Sequence, residues 1–226
     1  MSFLAENSKS KSNTLFITFE GPECAGKTTQ IRLLREYFDK SGFKYVLTRE
    51  PGGTAIGEEL RKIVKHYVGE GGVFDETELL LFAASRAQHV REIIAPALAQ
   101  GRHVICDRFI DSTVAYQGYG RGLDIDFIEK LNKFATCGIL PDLTIVLDLS
   151  PEEGRFRGLT RQETLFVEDR IESAEISFHR KVREGFLAIA RKEPHRVKVL
   201  DACRNIDEIH NEIKFIVENA IHRIQK

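Results

Sequence analysis

The sequence has no tryptophan, one methionine, six prolines and four cysteines. The cysteines, Cys24, Cys106, Cys137 and Cys203, are far apart, and no C-x-x-C pair or histidine cluster accompanies them. This distribution indicates neither a zinc site nor a disulfide framework, and it is typical of the reducing cytoplasm, where we expect the protein to act. An apolar run of about 18 residues is also lacking, so we predict no transmembrane helix and no membrane as a partner.

Charge of neither sign dominates, because 33 basic residues face 34 acidic ones and the formal net charge is -1 at pH 7. The basic residues are scattered, so we expect no nucleic acid among the partners. No composition shift or Pro/Gly/Ser-rich linker divides the 226 residues. We therefore predict a polar leader at 1–13, without the apolar middle of a signal peptide, followed by one domain at 14–226.

Short apolar segments alternate with longer helical patterns along this domain. Strands are predicted near 14–20, 44–48, 103–107, 143–149 and 196–200. Such alternation indicates an α/β fold of three layers, with a five-stranded parallel sheet covered by helices on both faces. Ligands of these sheets bind at the carboxyl ends of the strands, and the motifs described next fall there.

The segment Gly21–Thr28 reads G-x-x-x-x-G-K-T and lies between the first predicted strand and a helical run. In this position the glycines let backbone N–H groups converge on a phosphate, Lys27 adds a full charge, and Thr28 offers a hydroxyl to Mg²⁺. A plain glycine-rich turn is the alternative, and the flanking strand and helix argue against it. The pattern predicts the P-loop NTPase fold, with ATP held by Gly21, Pro22, Glu23, Cys24, Ala25, Gly26, Lys27, Thr28 and Thr29.

The second predicted strand runs into Arg49, Glu50 and a Pro-Gly-Gly turn. Beside a phosphate loop this pair of charges favours substrate contact over an ordinary solvated turn. Further on, Asp75 and Glu78 predict a capping box for a long helix. Arg86 lies within the apolar stripe of that helix, one turn after Phe82, and therefore needs a partner. That partner is either a structural carboxylate or a nucleobase ligand.

The third predicted strand ends in Asp107, followed by Arg108. A carboxylate at this point is the usual second ligand of the magnesium ion, and the arginine then projects towards the phosphates. The segment that follows mixes hydroxyls, an amide and aromatic rings, and it contains Thr113, Tyr116 and Gln117. Side chains of these types are suited to hydrogen-bonding a sugar and a base.

An arginine-rich segment, predicted as a lid at about 154–170, follows the fourth strand. It contains Arg155, Arg157 and Arg161 between glycines, a composition that favours a mobile cover supplying positive charge to a transferring phosphoryl group. A solvated basic face is the alternative interpretation. The guanine-specific motif of nucleotide switches is lacking, because Asn132-Lys133-Phe134-Ala135 has no acid in its last position.

These motifs together resemble the bacterial thymidylate kinase family, P-loop enzymes that transfer the γ-phosphoryl group of ATP to dTMP. The resemblance rests on Phe19-Glu20-Gly21, Thr48–Thr54, Asp107-Arg108, Ala115–Gly118, Leu140–Thr144 and Asp169–Glu172. It implies that Phe82 stacks on thymine, Arg86 bonds the carbonyl edge, and Arg108 holds the dTMP phosphate. It further implies a homodimer. The expected dTMP contacts are Glu23, Arg49, Glu50, Phe82, Arg86, Arg108, Thr113, Tyr116 and Gln117.

Two departures from the family pattern affect the expected catalytic groups. Cys24 replaces the arginine that some members carry beside the acidic loop residue, so the catalytic arginine is expected from the lid. The lid is also longer than usual, and Arg155, Arg157 and Arg161 all remain candidates for contact with the transferring phosphoryl group. We assign catalysis to Lys27, Arg108 and Glu23 together with Arg157 and Arg161, and magnesium binding to Thr28 and Asp107. Another nucleoside monophosphate kinase or a deoxynucleoside kinase stays open as an alternative.

Overall fold

The computed structural model describes residues 13–67, 69–161, 171 and 173–224, leaving aside the side chains of 160 and 161. Its sheet has five parallel strands in the order β2-β3-β1-β4-β5. The α/β class and all five predicted strands are confirmed. The strands are β1 Phe16–Glu20, β2 Tyr45–Arg49, β3 His103–Asp107, β4 Leu143–Asp148 and β5 Val197–Asp201.

Helices cover both faces of the sheet. On one face, alternate residues of β1 pack against α1 and α9, where Leu34 and Val217 are fully buried. Val146 of β4 points to the other face, where it packs with α8. The helices are α1 Lys27–Ser41, α2 Ala55–His66, α3 Asp75–His89, α4 Ala95–Ala99, α5 Ile110–Thr113, α6 Ile125–Ala135, α7 Pro151–Arg161, α8 Ile176–Lys192 and α9 Ile206–Ile224.

Two π-helical turns interrupt the helical segments, at Val90–Ile94 and Val114–Gly120. The first ends at Ile94, two residues before Pro96, whose ring nitrogen cannot donate a helical hydrogen bond, which accounts for the irregular helix at this point. The second widens the backbone that carries Tyr116 and Gln117. A Cβ atom on Gly120 would lie 2.6 Å from the Phe178 ring, which explains a glycine at this position.

The capping box predicted at the start of α3 is wrong. Phe74 occupies the N-cap position without a side-chain hydrogen bond, and Asp75 is already helical. Glu78 is fully buried instead, where it accepts hydrogen bonds from Gln117 (2.8 Å) and Arg121 (3.3 Å). The spacing of Asp75 and Glu78 is that of a capping box, but the Glu78 carboxylate is hydrogen-bonded to Gln117, 39 residues away in the sequence.

Within the described part of the chain, no helix combines the length and the apolar composition needed to cross a membrane. The four cysteines are free thiols; Cys106 is buried, and Cys137 and Cys203 are exposed.

Candidate active site

A cavity of about 560 Å³ opens where β1, β2 and β3 end. The phosphate loop, α2, α3 and the turn after β3 form its walls, because parallel strands bring their carboxyl ends to one edge of the sheet. Every residue predicted to contact dTMP lines this single cavity: Glu23, Arg49, Glu50, Phe82, Arg86, Arg108, Thr113, Tyr116 and Gln117.

The phosphate loop forms as its glycines require. Gly21 has φ +126°, and a Cβ atom there would lie 2.4 Å from the carbonyl oxygen of Leu147 in the neighbouring strand. Lys27 curls back over the loop, donating to the carbonyl oxygens of Gly21 (3.1 Å) and Pro22 (2.6 Å). Burial, followed by the charge of Arg108, lowers the pKa of Lys27.

The remaining predicted ATP residues lie along the same loop. Glu23, Cys24, Gly26, Lys27, Thr28 and Thr29 line the large cavity. Cys24, Gly26 and Thr29 also line a second cavity of about 370 Å³, together with Ala25. The phosphate loop therefore separates two adjoining spaces, an arrangement that suits a donor and an acceptor meeting at one phosphate.

Thr28 and Asp107 offer oxygen atoms to the large cavity, as a magnesium site requires. Thr28 is exposed at the start of α1, while Oδ1 of Asp107 is buried and has no hydrogen-bond partner among the described residues. A buried carboxylate oxygen without a partner is costly unless a cation or water satisfies it. The donor set therefore fits a hard divalent cation.

Arg108 joins the turn after β3 to the phosphate loop. Its backbone has φ +66°, and its guanidinium donates to the carbonyl oxygen of Gly21 (3.0 Å) and to Ser112 Oγ (3.1 Å). It also pairs with the Glu23 carboxylate and lies 5.2 Å from the ring centroid of Tyr116. Burial alone would raise the pKa of Glu23, but the charges of Arg108, Lys27 and Lys65 lower it to about 2. Glu23 is therefore ionised at neutral pH.

Glu20 is a site residue that the sequence analysis did not assign. It is fully buried at the end of β1, and it accepts hydrogen bonds from the Phe109 backbone N–H (2.7 Å) and from Ser112 Oγ (2.5 Å). Burial, then the charge of Asp111, raises the pKa of Glu20 to about 8. Glu20 thus fixes the turn that carries Arg108. Its place beside the glycine loop was visible in the sequence, but its burial was not.

Arg86, which is expected to face the base, lines the cavity and is 1% exposed. Its Nε and Nη2 contact Oε2 of Glu50, each at 2.8 Å. The remaining donors reach Thr113 Oγ1 (2.9 Å), Asn132 Oδ1 (2.7 Å) and the Phe109 carbonyl oxygen (3.1 Å). Four of the five N–H groups donate hydrogen bonds, and Nη2 makes its further contact with Glu50 as an ion pair, so little donor capacity is left for a base carbonyl at this edge. The structural carboxylate foreseen as one alternative for Arg86 is Glu50.

The other predicted substrate residues differ in how far their polar groups are already hydrogen-bonded within the protein. The hydroxyl of Tyr116 is buried and has no hydrogen-bond partner among the described residues. Gln117 donates to Glu78 at 2.8 Å, and Arg49 donates to both carboxylate oxygens of Glu58 at 2.9 and 2.8 Å. The Thr113 hydroxyl accepts from Arg86, which leaves its own hydrogen for a ligand.

The described part of the lid lies on the side of the second cavity. Arg157 donates to Glu153 (3.1 Å) and to the carbonyl oxygen of Ala202 (3.1 Å), and it lines the smaller cavity. Arg155 is exposed on α7. The Arg161 side chain and residues 162–170 lie outside the described residues, as do 1–12 of the predicted leader.

Two further cations on the cavity wall, Arg61 and Lys65, were not assigned from the sequence. Their i, i+4 spacing places them on one face of α2. Arg61 donates to the Pro51 carbonyl oxygen at 2.9 Å, and Lys65 contributes to the low pKa of Glu23. Only the packing of α2 shows that this face borders the site.

A parallel sheet with a lysine-bearing phosphate loop after its central strand, facing a strand-end aspartate, defines a P-loop NTPase. A sequence profile of the thymidylate kinase family matches residues 19–213. The chain is 47% identical over 210 residues to a thymidylate kinase of Symbiobacterium thermophilum, covering 93% of this chain and 95% of the relative. It is 50% identical over 196 residues to that of Geotalea daltonii, covering 85% and 91%.

A crystal structure of thymidylate kinase from Ehrlichia chaffeensis superposes with a TM-score of 0.72 at 38% identity, covering 91% of this chain and 98% of that one. The chain belongs to the thymidylate kinase family. The family resemblance inferred from the sequence is thereby confirmed, and with it an enzyme that uses ATP to phosphorylate dTMP.

Proposed function

We propose that this chain transfers the γ-phosphoryl group of ATP to dTMP, giving dTDP and ADP, by means of the residues around the large cavity. The observation that supports this most is that one cavity collects the phosphate loop and all nine predicted acceptor residues. The same cavity is lined by an aromatic side chain, Phe82, by a planar donor, Arg86, and by the cations Lys27 and Arg108, which contact the phosphate loop. These side chains suit the base and the phosphate of a nucleoside monophosphate.

The reaction needs little base catalysis. A nucleoside monophosphate has a second pKa of about 6, so the attacking phosphate oxygen is mostly deprotonated at neutral pH. The protein has to bring two anions into line and to neutralise the charge on the equatorial oxygens. Lys27 and Arg108 supply positive charge from two sides of the cavity. Glu23 holds Arg108 in place and offers its second oxygen to the sugar of the acceptor.

Thr28 and Asp107 are the residues that would hold Mg²⁺, which when bound neutralises phosphate charge next to the loop. The ATP base is assigned to the smaller cavity, because that space adjoins the phosphate loop and is closed by Arg157 and Arg204. Arg157 therefore serves the donor, which leaves Arg161 as the lid candidate for the transferring phosphoryl group.

The test is ADP release from ATP and Mg²⁺ with dTMP, dUMP, UMP, dCMP, dGMP and AMP offered in turn. We expect strong preference for dTMP. We expect the pyrimidine to stack on Phe82 and, as the family resemblance implies, Tyr116 to lie against the sugar where a 2′-hydroxyl would be. Efficient turnover of a different monophosphate, with dTMP ignored, would keep the phosphoryl-transfer machinery and support the alternative of another monophosphate kinase.

We also propose a homodimer formed through α3 and α6, which pack against each other. Leu80 of α3 and Phe127 and Phe134 of α6 are 53%, 52% and 81% exposed, an unusual amount of apolar surface on adjacent helices.

Phe134→Glu should convert a dimer into a monomer in light scattering, because a charge in an apolar interface is strongly unfavourable. Phe215→Glu on α9, at a similarly exposed phenylalanine, is the matched control. A wild-type monomer would refute the proposal.

A further inference from the structure

His89 is a buried titratable residue that has no part in the chemistry described so far. It lies at the end of α3 with no exposed surface. Its Nδ1 is 2.9 Å from Oε1 of Glu50, and its Nε2 is 2.6 Å from Oγ1 of Thr48. Both ring nitrogens are therefore used, and both partners come from the end of β2 and the turn that follows it.

The hydrogen-bond network determines which groups donate. Glu50 accepts from Arg86 through Oε2, and a carboxylate paired with a guanidinium accepts hydrogen bonds, so Nδ1 of His89 donates to Oε1. Nε2 contacts the Thr48 hydroxyl, so both ring nitrogens have a partner. Glu50 is consequently held from both sides, by His89 and by Arg86.

The turn around Glu50 is shaped to admit this histidine. Gly53 has φ +80°, and a Cβ atom there would lie 2.8 Å from Thr48 Oγ1 and 2.9 Å from the His89 ring. Gly52 donates its backbone N–H to Ser85 Oγ at 3.2 Å, which ties the same turn to α3. Gly53 therefore lets the backbone close over the contact between His89 and Thr48, and Gly52 fixes the same turn to α3.

Fixing Glu50 matters because the carboxylate in turn fixes Arg86. Two guanidinium nitrogens of Arg86 contact one Glu50 oxygen, so rotation of the carboxylate would turn the guanidinium plane. Arg86 and Phe82 both line the acceptor cavity. Arg86 also donates a hydrogen bond to the hydroxyl of Thr113, which lines the same cavity. A substitution at His89 therefore affects Arg86 through two contacts, the first from His89 to Glu50 and the second from Glu50 to Arg86.

We propose that His89 is a positioning residue for the acceptor nucleotide: it orients Glu50, and through Glu50 it holds Arg86 in the plane that faces the base. This inference rests on the base-facing role proposed for Arg86. His89 touches neither substrate, so its loss acts on acceptor binding and leaves the phosphate end of the cavity unchanged.

The experiment measures steady-state constants for dTMP and ATP in His89→Leu, His89→Asn and His89→Gln. In His89→Leu the KM for dTMP should rise about tenfold, since a hydrogen bond to a buried charge is lost, while kcat and the KM for ATP stay within about twofold. The amide nitrogen of asparagine takes the place of Nδ1, so His89→Asn should return the KM for dTMP to within about threefold of wild type. Glutamine reaches only the Thr48 side and should resemble leucine.

Each outcome decides the inference. An unchanged KM for dTMP in His89→Leu would overturn it. Equal KM values for dTMP in His89→Asn and His89→Gln would also overturn it, and this comparison does not depend on whether the leucine variant folds. Arg86→Lys separates this inference from the role it rests on. A raised KM for dTMP in Arg86→Lys but not in His89→Leu refutes the positioning role alone, whereas no change in Arg86→Lys refutes the base-facing role itself.

Discussion

Replacing Lys27 by alanine should lower kcat about a thousandfold or more while the protein remains folded. Lys27 is the one phosphate-loop residue with a full positive charge, and its ammonium group lies over the carbonyl oxygens of Gly21 and Pro22. When ATP binds, we expect the ammonium group to leave these neutral carbonyl oxygens and to contact phosphate oxygens. Their negative charge grows in the transition state, so the lysine stabilises the transition state more than the bound substrate. Saturating dTMP and ATP will not rescue the variant, because the lost interaction acts on the chemical step.

The matched control for this prediction is Lys62→Ala. Lys62 lies on α2 with 66% of its side chain exposed and pairs with Glu59, so the same charge is removed from the surface. Its kcat should equal that of wild type, and circular dichroism should show both variants folded. If Lys27→Ala turned over dTMP at a near-normal rate, the assignment of the phosphate loop to the donor would be wrong.

Replacing Arg108 by alanine should reduce kcat/KM for dTMP about a thousandfold, with the KM for ATP changing much less. The substitution removes the cation that faces the acceptor phosphate, and it also removes the ion-pair partner of Glu23. Arg108 is the largest of the three charges that lower the pKa of Glu23 to about 2, so its loss raises that pKa and leaves the carboxylate unpaired beside the incoming phosphate. Arg108→Lys keeps a charge but loses the second donor, and should recover only part of the activity.

Removal of an exposed arginine provides the comparison for Arg108→Ala. Arg191 has 63% of its side chain exposed and pairs with Glu184 on the surface of α8, and Arg191→Ala should leave both Michaelis constants unchanged. The assignment of Arg108 to the acceptor would fail if Arg108→Ala raised the KM for ATP as much as the KM for dTMP. Equal activity of the alanine and lysine variants would show that its charge has no part in catalysis.

Local patterns in the sequence were sufficient to predict most of the fold and the phosphate loop. The strands, the loop Gly21–Thr28 and the strand-end Asp107 depend on periodicity and on neighbours within a few residues, which the sequence displays directly. The capping box at Asp75 shows the limit of such patterns. The spacing was right for a cap, but Glu78 is bonded to Gln117, a partner that no local rule identifies.

The two arginines that the sequence left undecided were resolved differently. Arg86 pairs with the structural carboxylate of Glu50 and also lines the large cavity, so contact with a nucleobase stays a prediction that this pairing does not oppose. Arg157 was assigned to catalysis with Arg161, but it lies against the smaller cavity, tied to the carbonyl oxygen of Ala202. In both cases the deciding partner is 36 or 45 residues away.

The sequence alone determined the fold class, the phosphate-loop motif and a set of residues that line one cavity, because these follow from residue type and short-range spacing. The tertiary structure decided which side chains meet: His89 with Glu50, Glu20 under the turn that carries Arg108, and Lys65 on the same cavity wall as Glu23. Burial removes water from His89, Glu50 and Glu20 and limits which hydrogen bonds each can make, and at Glu20 it raises the pKa to about 8. Such effects arise only when distant segments meet.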